Sequence, residues 1–143
     1  MKNNEWKDPI VLTIASFFGV LVLIMSGGCG VKADLPTSIN MDFPHGETRL
    51  LVKEDGEAFL FYASLPQHEI IRPNTIELDK LYNELQDKIH PNVPMEERPV
   101  YEAYWMVTFR FGDEREEDYL IYDGAFAEAY FEIARANIIG SIP

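Results

Sequence analysis

The 143-residue chain carries one thiol, Cys29, three imidazoles, His45, His68 and His90, and 24 carboxylates. Each could do chemistry in the right company. Cys29 follows Ser26, Gly27 and Gly28, which close an uncharged apolar run over residues 10–25. Small residues ahead of a cleavage point suit a peptidase that takes an extended backbone into a narrow groove. The histidines show none of the spacings that metal sites use, and no metal site is expected. The acidic run "DEREED" at residues 113–118 offers oxygens from Asp113, Glu114, Glu116, Glu117 and Asp118. It lacks the alternating ligands and the turning glycine of a calcium loop and contains Arg115, so it reads as a solvated hairpin turn. No second cysteine is present for thiol chemistry or zinc, and there is no Gly-rich phosphate loop or G-x-S-x-G elbow. Ser38, Ser64 and Ser141 lie in no nucleophile setting. No catalytic residue and no cofactor is therefore expected, and the chain is not expected to be an enzyme. Two alternatives remain open at this point: a carboxylate-based hydrolase of envelope polymers, and a binder of small ligands or cations.

The residues around Cys29 decide where the chain is expected to work. "MKNNEWKDP" is a short polar start holding Lys2 and Lys7, and the run that follows has 16 residues. A spanning helix wants about 20 apolar residues; a signal-peptide core wants about 7–15. Ser26, Gly27, Gly28 and Cys29 resemble the lipobox of bacterial lipoprotein signals, with Ser26 where the commonest pattern has leucine. The resemblance implies that Cys29 takes a diacylglycerol on its sulfur and becomes the new N-terminus. It covers roughly the first 29 residues. A signal anchor that stays uncut is the other reading, because the run extended through Gly28 reaches 19 residues. Either way the body is expected outside the cytoplasm, tied to the cell membrane, and two acyl chains would make that anchoring stable.

The charge narrows the partners. The formal net charge is −12, and the leader's two lysines cancel against Glu5 and Asp8. An acidic body without a basic stripe is repelled by nucleic acid, which is excluded as a partner. The charge suits a well-solvated extracytoplasmic domain or one with a basic partner. An envelope protein or polymer is the expected contact, besides the membrane reached through the lipid.

Residues 1–28 read as signal peptide, 29–45 as a tether rich in Pro, Ser and Asn, and 46–143 as the folded domain. "TRLLVKEDGEAFLFYAS" predicts a hairpin, with strands near 48–53 and 57–63 around the Asp55–Gly56 turn. Leu78, Leu81, Tyr82, Leu85 and Ile89 form one helical stripe, with Asn74 as cap, Glu77 three residues on, and Pro91 as stop. "VYEAYWMVTFRF" alternates as a long strand and "DYLIYDG" returns beside it. "GAFAEAYFEIARANI" predicts a second helix with Phe126, Tyr130, Ile133 and Asn137 along one face. The expected fold is α+β, in the order ββαββα: a four-stranded antiparallel sheet with both helices on one face. Tyr104 and Met106 fall on the polar face of the long strand and are the expected interaction surface, which Tyr82, Tyr119 and Tyr122 could join. Residues 106–138 also resemble small uncharacterised lipoproteins of Gram-positive bacteria, a likeness that implies no functional residues.

Overall fold

The structure is a computed structural model that describes residues 34–100 and 103–143. Gly28, Cys29 and the rest of the leader lie outside the described residues. The eight strands are β1 (Ser38–Asp42), β2 (Thr48–Lys53), β3 (Ala58–Tyr62), β4 (His68–Ile71), β5 (Ile89–Pro91), β6 (Trp105–Arg110), β7 (Glu116–Ile121) and β8 (Ile138–Ile142). Helices α1 (Leu78–Leu85) and α2 (Gly124–Ala136) interrupt them. All eight strands join one sheet in the order β5-β7-β6-β1-β2-β3-β4-β8, and every pairing is antiparallel.

The four-stranded ββαββα sheet expected from the sequence is thus corrected to eight strands. Each extra strand is short and weakly patterned, and each gains its identity from a neighbour. β1 is the largest correction. Ser38–Asp42 lies inside the expected tether, yet it sits mid-sheet, with Ile39 opposite Val52 on one side and Phe109 on the other. Only Ile39 and Met41 speak for it locally, and both are fully buried. The compact unit accordingly starts at Asp34, not near Gly46. β5 takes residues expected to end the first helix, because Ile89 pairs with Ile121 instead of extending a helical turn. β4 and β8 pair with each other at the far side of the sheet.

Alternation along the strands sorts the two faces. Ile39, Met41, Leu50, Val52, Ala58, Leu60, Trp105, Val107 and Phe109 are buried on one face, in one cluster with the buried residues of both helices. In α1 these are Leu78, Leu81 and Leu85. In α2 they are Ala127, Tyr130, Phe131 and Ala134, not the stripe expected through Ile133, which is 42% exposed. The helix is turned so that small alanines approach the sheet and Phe131 fills the space between them. Tyr130 links the helices: its hydroxyl donates to a Glu84 carboxylate oxygen at 2.5 Å, and burial together with that partner raises its pKa above the ordinary phenol value.

Two loop details follow from backbone chemistry. Gly56 takes φ +87° in the β2–β3 turn, and its carbonyl accepts from the Asn74 N–H at 2.9 Å. The turn needs a glycine for this angle, and a Cβ there would in addition lie 2.0 Å from Asn74 Oδ1, so the Asn74 side chain would have to turn away. Asn74 itself has φ +60° and does not cap α1, whose N-cap position is Glu77 with no side-chain cap bond. Asp123 does cap α2, accepting from the Phe126 N–H at 3.0 Å, and pairs with Lys88 at 2.7 Å.

The Lys88 ammonium first, and the Phe126 N–H second, hold the Asp123 carboxyl below its ordinary value of 3.8. A depressed carboxyl stabilises the fold above the unfolded-state value, and that contribution fades as pH falls through the lowered one. Asp123→Asn keeps a capping oxygen without the charge. In acid denaturation followed by circular dichroism, the variant should start less stable than wild type near neutral pH, and the gap should close on acidification below the 3.8 value. A gap that stays constant with pH would refute the assignment.

Candidate interaction face

The face opposite the helices is built by the alternate residues of every strand. One row crosses the whole sheet: His90, Leu120, Met106, Asp42, Arg49, Phe61, His68 and Ile142, each registered with the next. The row beside it runs Asp118, Thr108, Asn40, Leu51, Phe59, Ile70 and Gly140. Its two halves differ in chemistry.

The half on β1, β6 and β7 carries polar groups tied across strands beside Leu120, which is fully buried, and the half-buried Met106. Asp42 pairs with Arg49 of β2 at 2.5 Å, Thr108 Oγ1 donates to Asp118 at 2.6 Å, and Arg110 pairs with Glu116 at 2.5 Å. Such exposed cross-strand pairs each contribute little, but they fix register. The half on β2, β3, β4 and β8 is apolar: Leu51, Phe59, Phe61, Ile70 and Ile142, with His68 among them. Phe61 and His68 stack at 5.0 Å between ring centroids and 25° between planes, and Phe59 meets His68 edge-on at 5.9 Å. Phe59, Phe61, His68 and Ile70 are half-buried, and none belongs to the helix-side core. Lys53 closes one margin, held to Glu57 at 2.6 Å and Asp55 at 3.2 Å.

The residues expected to form the interaction surface lie at the other margin. Met106 is in the long row next to Asp42, and Tyr104 lies beside the Arg98 guanidinium at 4.6 Å. Together with Asp42, Phe43, Pro44 and Arg49 they line a shallow hollow of about 260 Å³. Tyr104 and Met106 are therefore brought together. The expected aromatic neighbours are not: Tyr82 and Tyr119 pack against Phe109 on the helix side, and Tyr122 sits against His90. The aromatic patch proper is Phe59, Phe61 and His68, which sequence reasoning does not single out. Its signal is present in "AFLFY", apolar at consecutive positions, a pattern of strands whose two faces both meet apolar surroundings.

The acidic turn at residues 113–118 has Arg115 at its centre, reaching Asp34 at 2.9 Å and Glu117 at 3.5 Å. Among the described residues no group of three His, Cys, Asp or Glu is placed to hold a metal ion, and His68 and His90 lie on β4 and β5, well separated in the sheet order. No helix among the described residues is long and apolar enough to cross a membrane. No protein-family model, curated protein or solved structure matches the chain.

Proposed function

We propose that this chain is a lipid-anchored, extracytoplasmic domain with a non-enzymatic role, holding a basic envelope protein against the apolar half of its open sheet face. The observation that carries the binding role is the cluster Leu51, Phe59, Phe61, His68 and Ile70 on the face opposite both described helices. A contiguous apolar patch rimmed by ion pairs marks an interaction surface more often than an accident of composition. The net charge of −12 supports a cationic partner, since like-charged surfaces would be repelled while a basic one is steered in. The anchoring half of the reading is supported by the leader and by Ser26, Gly27, Gly28 and Cys29.

Two measurements test the two halves separately. Intact-mass spectrometry of protein extracted from host membranes should show a chain that begins at Cys29 and carries lipid. A soluble species retaining Met1 and a free thiol would overturn the anchor. For the face, Phe59→Ser combined with Phe61→Ser should leave the far-ultraviolet spectrum unchanged and abolish co-purification of a basic envelope protein, which should also weaken with added salt. Unaltered capture by the variant, or retention of a polymer alone, would overturn the proposed docking.

A further inference from the structure

We propose that β8 is a self-pairing edge, along which two copies of this chain join antiparallel into one continuous sheet. Every residue of β8 is exposed, and its sequence "IIGSI" carries no charge in a chain of net charge −12. Ile138, Ile139 and Ile142 are 37%, 55% and 39% exposed. Edge strands are usually blunted by lysine, proline or brevity, because their unpaired N–H and C=O groups template further strands. The opposite edge follows that rule: β5 has three residues and ends in Pro91, which has no N–H to donate. β8 does not.

The contrast between the edges selects the occupant. Head-to-tail growth would require β8 of one copy to pair with β5 of the next, and Pro91 makes β5 a poor receiver. Pairing β8 with β8 uses the good edge twice and closes on a twofold axis. Charge agrees, since an uncharged strand is where two strongly acidic bodies repel least. Register agrees as well. A bulge at Ile139 leaves Gly140–Ile142 as the regular stretch, with Gly140 opposite Ile70 and Ile142 opposite His68. An antiparallel pair centred on Ser141 sets Ile142 of each copy opposite Gly140 of the other, on the open face. A side chain built at Gly140 would meet nothing within 4 Å, so the incoming isoleucine has room. Antiparallel neighbours keep their faces aligned, so the Phe61–His68–Ile142 rows of the two copies become parts of one larger apolar face. The seam is smaller than the interfaces that hold soluble dimers at low concentration. Pairing should therefore rise steeply with the density of the protein.

The test uses the full chain in its host membranes. Ser141→Cys should give a disulfide-linked homodimer on mild oxidation. Ser64→Cys, in the exposed β3–β4 connection, and the unmodified chain with Cys29 alone should not. Adding Ile139→Lys and Ile142→Lys to the Ser141→Cys chain places like charges across the seam and should lower the yield of linked dimer at least about fivefold. Both lysines replace exposed residues, and an unchanged thermal melt confirms that the fold survives. Absence of the dimer, equal cross-linking from position 64, or linkage of the Ser141→Cys chain to a different polypeptide would each overturn the proposal.

Discussion

A chain that begins at Gly46 should not fold. It would contain the whole stretch that local patterning assigns to the domain, and it would lack β1. That strand makes five register pairs with β2 and five with β6, and among the described strands it is the one paired to both the β5-β7-β6 and the β2-β3-β4-β8 halves. Without it, Leu50 and Val52 on one side and Val107 and Phe109 on the other lose their neighbours, and two inner strands become unpaired edges. The expected result is a species without a cooperative denaturant transition, although α1 and α2 could retain some helical signal. The point version is Met41→Asp. Met41 is fully buried between Leu50 and Val107, so the carboxylate would have no partner and no water. The loss should exceed about 4 kcal/mol, a large share of the roughly 5–15 kcal/mol that holds a typical domain together. Lys53→Ala, on a half-exposed side chain of the neighbouring strand, should cost less than about 1 kcal/mol. A cooperative transition for the truncated chain with wild-type midpoint would show that β1 is dispensable and the sheet order wrong.

Phe131→Ala should cost about 3–5 kcal/mol, measured as a shift of the denaturant midpoint with unchanged slope. Phe131 is fully buried, with its ring 4.9 Å from that of Trp105 and 6.3 Å from that of Phe43. Phe43 in turn meets Trp105 edge-on at 4.1 Å. Three aromatic rings from the end of β1, the start of β6 and the middle of α2 close this part of the core. Alanine at 131 leaves a void that stiff neighbouring rings cannot fill. Ile133→Ala is the paired control. Ile133 is exposed on the other side of α2 and should change stability by no more than about 0.5 kcal/mol. The reverse order of effects would mean that the helix is rotated to bury the Ile133 stripe.

In α2, local pattern ends and packing takes over. The hairpin around Asp55–Gly56 is legible in the sequence because turn chemistry and alternation agree there, and the observed strands, Thr48–Lys53 and Ala58–Tyr62, lie where they are expected. The second helix is legible in extent but not in rotation. Phe126, Tyr130 and Ile133 look like a stripe; Tyr130 is buried, but Ile133 is not, and Ala127, Phe131 and Ala134 complete the buried face because small residues let a helix approach closely. β1, β4, β5 and β8 are not legible. Each has three to five residues, and each is a strand only because a distant segment supplies its hydrogen-bond partners. Arg110, for example, lies opposite Ser38, and Ile71 opposite Ile138. Of the face, Tyr104 and Met106 can be placed from the alternation of one strand. The Phe59–Phe61–His68 patch cannot, because it needs the β3–β4 pairing, and "HEII" gives little local sign of a strand.

The position of β1 has a mechanical consequence. It is the first element of the described domain, so any tension arriving from the N-terminal side is applied to it directly. An edge strand under such load can be peeled away one hydrogen bond after another. β1 is bonded along both flanks, so both ladders must give together before it yields. A domain moored from that side would hold its shape under drag until the whole sheet gives way at once.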